Sequence, residues 1–359
     1  MASKYTFRFS FVCFFSVFVS TLFRNADCGS IVRTLPGFPG PLQFDDAYYT
    51  GGLPTLHLYP YTWTKSASII FADVPVGSGY SYSTNASDYS ISDLESVNQS
   101  HVFIRKWLSE HPQFIPNRFF IATDSYSGIL APIIAQRILD DNEAGEEPSI
   151  NLVGIISGSP HTDGELEGND KVPLAHQLGI LSKSLYESAK NNCDGDFFYV
   201  DSSTSSGECL EDMEIIDECL EQINTEMVLA PKCNFPYLLS AVWANDISVQ
   251  RALHVREGTI QEWRRCNQTF ASGTYVGDHD LVIPHISTEY WLSELGISLD
   301  EDWRPWYVGG QVAGYTMKYS NYGYRLTYAT SKGSGHSPTE WKGRESYEMF
   351  ERWIHFYPL

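Results

Sequence analysis

Short apolar runs alternate with helical patterns along most of the chain. SIIFA (68–72), FFIA (119–122) and LVGII (152–156) have the length and composition of buried strands. Apolar residues recur at helical spacing over 94–111 and again from Gly128 onward. Strands that alternate with helices predict a mostly parallel sheet of the α/β class.

Residues 171–246 depart from this alternation. The segment is acidic, helical in pattern and cysteine-bearing, and it indicates a cap inserted into the α/β domain. Strand and turn patterns resume at 274–284, followed by a tyrosine-rich hairpin region over 308–328 and a closing helix over 345–356. The sheet and its cap are expected to form one domain over 29–359.

The N-terminus carries the pattern of a secretory signal peptide. Lys4 and Arg8 precede an apolar run over 9–23, and small residues follow at 26–30. The run is short for a membrane span, so we predict a cleaved leader over 1–28, with a signal anchor as the alternative. Three sequons agree with export: Asn85, Asn98 and Asn267.

Charge and cysteine usage narrow the class of protein. The 359 residues carry a net charge of −20, which argues against nucleic acid and anionic membranes as partners. No histidine lies among the four clustered cysteines at zinc-ligand spacing, so disulfides are expected and no metal or cofactor is. Of the three possible pairings of that cluster, we favour Cys193–Cys209 and Cys219–Cys233. The oligomeric state is left open.

Ser125 is the candidate nucleophile. It lies where a predicted strand turns directly into a helix, as in the nucleophile elbow, although Thr123 and Ser127 replace the usual glycines. A serine needs a base, and the base needs a carboxylate that orients it. The order Ser, Asp, His along the chain is completed by Asp278 and His336, both in loops after predicted strands, with Asp280 as the rival acid.

The chain resembles the plant serine carboxypeptidase-like proteins, a family of α/β-hydrolases. The resemblance rests on segments spread over the mature chain, among them LPGFPGPLQF (35–44), SIIFADVPVGSGYSYS (68–83), DSYSG (124–128), GDHDLVIP (277–284) and GSGH (333–336). It implies Ser125 as nucleophile, His336 as base, Asp278 as acid and the Tyr126 N–H as an oxyanion donor. It also implies secretion or delivery to a vacuole.

The chain also departs from the family pattern. The N-G-G-P-G-C-S-S loop, which helps to form the oxyanion hole, and the strand before it are missing between Tyr49 and Gly52, so the sheet is expected to be incomplete. The family pairs that loop's cysteine with the position of Cys266, which would be left free here. Shorter gaps follow Cys233 and Asn267, and such block losses resemble skipped exons more than gradual divergence.

Two residues of the elbow bear on activity and substrate. Where the family has glycine, Thr123 could cost about 1–3 kcal/mol or tilt the serine away. Asp124 stands where peptide-trimming relatives carry glutamate, and it resembles the acyltransferase branch that uses glucose esters. We therefore expect a serine carboxypeptidase-like hydrolase acting on peptide C-termini. The alternatives are an acyltransferase and a non-catalytic truncated isoform, and we expect little turnover by the chain as it stands.

Overall fold

A computed structural model describes residues 10–15 (backbone only), 53–54, 59–230, 238–260, 262–263, 279–321 and 323–359. In chain order the strands are β1 (Ser10–Phe15), β2 (Ala67–Ala72), β3 (Arg118–Asp124), β4 (Leu152–Gly158), β5 (Ser298–Val308), β6 (Gln311–Asn321) and β7 (Tyr324–Ala329). The helices are α1 (Asp93–Glu110), α2 (Ser127–Ala144), α3 (Gly164–Gln177), α4 (Lys183–Asn192), α5 (Gly207–Glu221), α6 (Leu238–Ala244), α7 (Ile247–Ala252), α8 (His285–Glu294), α9 (Pro338–Trp341) and α10 (Gly343–Ile354).

The chain divides into two compact units. The first comprises Met1–Thr123, Leu130–Ile156 and Phe235–Ala271, and the second comprises Asp124–Ile129, Ser157–Asn234 and Ser272–Leu359. The first unit contains most of a four-stranded sheet in the order β2-β1-β3-β4. The second contains a separate three-stranded sheet in the order β5-β6-β7.

The four-stranded sheet confirms the predicted parallel α/β arrangement. β1 pairs in parallel with both β2 and β3. Backbone bonds from Phe119 N to Asn151 O and from Ser125 N to Gly158 O show that β3 and β4 also run in one direction. Five consecutive residues of β3 are buried, as expected for a strand covered on both faces.

Helix α1 shows how the sequence pattern sets local structure. The Ser92 side chain caps its N-terminus by accepting a bond from the Glu95 N–H. Val97, Ile104 and Leu108 form its buried stripe, as the helical spacing predicts. The amphipathic pattern over 94–111 is thus confirmed as a helix.

Strand β1 comes from the segment predicted to be a signal peptide. Its register pairs Ser10 with Ala67 of β2, and Phe14 with both Phe71 of β2 and Ala122 of β3. A chain that began at residue 29 would lack this strand. Cleavage of residues 1–28 stays a prediction, and it excludes this sheet in the same molecule.

The helical region of the second unit has its own apolar core and one disulfide. Cys193 and Cys209 are bonded, with sulfur atoms 2.00 Å apart, as predicted. Cys219 instead has a free, exposed thiol, so the expected bond to Cys233 is not formed. Cys219 lies on the outer face of α5, whereas Cys209 faces the core. Cys28, Cys233 and Cys266 lie outside the described residues.

The tyrosine-rich region forms the predicted hairpin, extended to three antiparallel strands. The indole N–H of Trp306 in β5 donates to the carbonyl of Thr330 just after β7, at 3.0 Å, and the Tyr328 hydroxyl donates to the carbonyl of His285 at 3.1 Å. These bonds fix the start of the loop that carries His336. Across the described ranges, no helix is long and apolar enough to cross a membrane.

Candidate active site

Ser125 lies at the sharp turn between β3 and α2. Its φ angle is +68° and its residue surface is 4% exposed. The Ser125 N–H donates to Gly158 O at 3.1 Å, and its carbonyl accepts from Gly128 N at 2.7 Å and from His161 N at 3.0 Å. A non-glycine residue held at positive φ is strained, and such strain at a strand–helix turn is what a nucleophile elbow requires.

The residues around the serine permit this turn. A Cβ atom added to Gly128 would lie 2.5 Å from the Cβ of Pro160, so only glycine fits where the helix starts. Thr123, which could strain the elbow or tilt the serine away, is buried at 3% exposure within β3. The positive φ of Ser125 persists with Thr123 in place.

His336 and Asp280 form a buried pair. The imidazole Nδ1 lies 3.3 Å from Asp280 Oδ2, and Asp280 has no exposed surface. The other carboxylate oxygen accepts backbone N–H bonds from Val282 at 2.8 Å and Ile283 at 3.3 Å. Because these bonds fix the carboxylate, it can orient the imidazole with Nδ1 as the donor.

Backbone bonds hold the two loops of this pair together. His279 N donates to Ser334 O at 3.0 Å, and His336 N donates to Glu226 O at 2.6 Å. A Cβ on Gly335 would lie 2.1 Å from that same Glu226 carbonyl oxygen, so the approach requires glycine. The loop of Asp280 is thus bonded to the loop of His336, and the loop of His336 is bonded to the backbone at Glu226.

The acid expected first from the sequence, Asp278, lies outside the described residues. The carboxylate hydrogen-bonded to His336 belongs to Asp280, the rival two residues later. Asp280 therefore replaces Asp278 as our candidate acid.

A side-chain contact relates the elbow to the histidine loop. The Ser337 hydroxyl donates to Asp124 Oδ2 at 3.4 Å. Asp124 precedes Ser125 and Ser337 follows His336, so the candidate nucleophile and base lie in one neighbourhood. The arrangement supplies a strained serine, a buried imidazole and an orienting carboxylate.

The sequence pattern did not reveal a second histidine beside the serine. His161 Nδ1 lies 2.5 Å from Glu167 Oε2, and its ring stacks on Tyr126 with centroids 5.7 Å apart. Glu167 is 3% exposed although it carries a carboxylate. No sequence pattern pointed to this pair, because the burial of Glu167 and the stacking of His161 are set by tertiary placement.

Two of the three predicted glycosylation sites can be placed. Asn85 and Asn98 are exposed in the first unit, and Asn98 Oδ1 accepts a bond from Arg137 at 3.1 Å. Asn267 lies outside the described residues.

Within the described part of the chain, no cluster of histidine, cysteine or acidic side chains could hold a metal ion.

Comparison with known proteins decides the family. The profile described as "Serine carboxypeptidase" matches residues 28–274 and 268–356. The chain belongs to the serine carboxypeptidase family. Among serine carboxypeptidase relatives from Arabidopsis thaliana, serine carboxypeptidase-like 12 is 39% identical over 346 residues, covering 88% of this chain and 78% of the relative. Serine carboxypeptidase-like 17 is 38% identical over 348 residues, covering 89% and 78%.

A solved carboxypeptidase structure shares the fold. A prohormone-processing carboxypeptidase from Saccharomyces cerevisiae superposes with a TM-score of 0.64 at 16% identity, covering 84% of this chain and 77% of that one. The resemblance inferred from sequence motifs is therefore confirmed, as is the α/β-hydrolase fold. The chain is a serine-type carboxypeptidase-like hydrolase by family.

Proposed function

We propose that Ser125, His336 and Asp280 act as a catalytic triad that works through an acyl-enzyme. The observation that carries this proposal is the strained Ser125, φ +68°, in the same unit as the buried His336–Asp280 pair. Strain of this kind persists only where the surrounding contacts enforce it. Neither a cofactor nor a metal is needed for the chemistry that these three residues provide.

In the proposed mechanism the Ser125 hydroxyl oxygen attacks the substrate carbonyl carbon while His336 Nε2 takes its proton. Asp280 keeps the Nδ1 proton of His336 in place and stabilises the imidazolium. The carbonyl oxygen becomes an oxyanion that accepts a bond from the Tyr126 backbone N–H. When the tetrahedral intermediate collapses, His336 protonates the leaving group and the acyl group stays on Ser125. An incoming water or alcohol then releases it by the reverse steps.

The favoured substrate is the C-terminal bond of a peptide, because the chain belongs to the serine carboxypeptidase family. Acyl transfer from an ester is the second candidate, and Asp124 favours it. This side chain is shorter than the glutamate of peptide-trimming relatives, and its carboxylate accepts from Ser337. An acidic protein of net charge −20 is not suited to bind nucleic acid or anionic membranes.

The test is labelling of the full chain with a fluorophosphonate, followed by peptide mapping. We expect phosphonylation of Ser125 that Ser125→Ala abolishes. Turnover of a blocked dipeptide and of a glucose ester, assayed on the same preparation, separates the two substrate classes. A chain whose Ser125 stays unlabelled after prolonged exposure would support the non-catalytic isoform and refute the triad.

Passage through the secretory pathway to the exterior or a vacuole is part of the proposal. The exposed Asn85 and Asn98 are accessible to glycosylation. Mass spectrometry before and after glycosidase treatment is expected to show glycan loss and a start near residues 26–30. Retention of Met1 without glycans would contradict export.

A further inference from the structure

His161 lies closer to the elbow than its place in the sequence suggests. Gly158 O accepts from the Ser125 N–H, and His161 N donates to the Ser125 carbonyl. The segment between them contains Ser159, at φ +44°, and Pro160, which packs against Gly128. Residues 158–161 therefore hydrogen-bond to both the N–H and the carbonyl of Ser125.

Glu167 fixes the imidazole of His161. Its Oε1 accepts backbone N–H bonds from Thr162 at 2.8 Å and Asp163 at 3.2 Å, and its Oε2 lies 2.5 Å from His161 Nδ1. The Thr162 hydroxyl also donates to Oε1, at 3.4 Å, and a buried carboxylate with four donors has one well-defined position. The position of the His161 ring is therefore fixed as well, because its Nδ1 is bonded to this carboxylate.

The fixed ring lies against Tyr126. The two rings are inclined by only 14°, and the Tyr126 residue is 37% exposed, so the stacked histidine supports one side of a ring that is partly open to solvent. Tyr126 follows the nucleophile, and its backbone N–H is the donor expected for the oxyanion. In a chain that lacks the family's glycine loop, the position of this one donor matters more.

We propose that His161 is a positioning residue that aligns the Tyr126 N–H with the developing oxyanion, with Glu167 holding its ring. The inference rests on the proposed function, because it assumes that Ser125 reacts. Loss of an aromatic pair that is used in the transition state corresponds to as much as about a tenfold change in rate.

The test compares His161→Asn with His176→Asn. Asparagine keeps a donor near the position of Nδ1, so Glu167 stays paired while the ring is lost. His176 is a matched control in α3: its ring stacks on Tyr186 at 4.6 Å and its Nδ1 lies 3.0 Å from Leu181 O. The readouts are the rate constant and dissociation constant of fluorophosphonate labelling, and the ¹⁵N–¹H shift of the Tyr126 amide, assigned with Tyr126→Phe.

We expect His161→Asn to lower the labelling rate constant about tenfold, to leave the probe's dissociation constant unchanged and to move the Tyr126 amide signal. His176→Asn should change none of these. Equal labelling rates in the two variants with an unmoved Tyr126 amide would overturn the inference. If the unaltered chain is not labelled, the proposed function fails, and the amide shift alone still decides whether His161 positions Tyr126.

Discussion

Replacing Asp280 by asparagine is the sharpest test of the acid assignment. Asp280 Oδ1 accepts two backbone N–H bonds and Oδ2 faces His336 Nδ1. In Asp280→Asn the amide oxygen can keep the two backbone bonds, which leaves the NH₂ group facing the imidazole. Because that group donates, His336 must accept at Nδ1 and carry its proton on Nε2. An imidazole in this tautomer cannot take the proton of Ser125.

The expected loss is large in reactivity and small in stability. A tautomer error of this kind costs about 10⁴ in the rate of the chemical step. The stability change is limited to exchanging one charged hydrogen bond for a neutral one, about 1–2 kcal/mol. Fluorophosphonate labelling of Ser125 should therefore fall below detection while thermal unfolding remains cooperative.

The matched control is Asp278→Asn, two residues earlier in the sequence. We expect it to label at the unaltered rate, because Asp280 already pairs with His336. Loss of labelling in Asp278→Asn with retention in Asp280→Asn would refute the reasoning and restore the acid first expected from the sequence. Comparable losses in both would show that the two substitutions act through folding rather than through the acid.

Three further outcomes are expected. Burial raises the pKa of Asp73 from 3.8 to about 6, although the hydrogen bond from Tyr80 N lowers it. The folded state therefore binds an extra proton between these pH values, and its free energy of unfolding falls by up to about 3 kcal/mol as the pH rises from 4 to 6. Asp73→Asn should flatten the dependence of melting temperature on pH over that range, and an unchanged slope would contradict the burial argument. Cys219 should react with iodoacetamide without denaturant, whereas protection of this thiol would show that it is paired. Insertion of the family's glycine loop together with Thr123→Gly should raise turnover by about 10²-fold or more, because one oxyanion donor contributes that much to the rate. Ser125→Ala should abolish the gain. Equal turnover with and without the insertion would show that the loop matters less than proposed.

The elbow could be predicted from sequence because its signals are local. A short apolar strand, a serine and a helical pattern follow one another directly, and β3 and α2 form where that pattern places them. The acid could not be chosen between Asp278 and Asp280, since the choice depends on which carboxylate the Val282 and Ile283 N–H groups hold. The His161–Glu167 pair was missed for a similar reason, because a stacked ring depends on tertiary placement.

The role of β1 could not be predicted because two structures share its pattern. The hydrophobic region of a signal peptide and a central strand of a parallel sheet are both continuous apolar runs. Residues 9–23 satisfy both descriptions, and the pairing of Ser10–Phe15 shows the strand without testing cleavage of the leader.

Export and folding require the same segment of the chain, because β1 lies within the predicted leader. A ribosome exposes the leader before Ala67 and Arg118 have been synthesised, so targeting acts on this segment before β2 and β3 exist to pair with it. Once the leader is removed, β2 and β3 are left about 10 Å apart, two strand spacings, with unpaired inner edges. A copy that escapes targeting would keep its sheet and remain in the cytosol, so cell fractionation would also separate the chain by its state of folding.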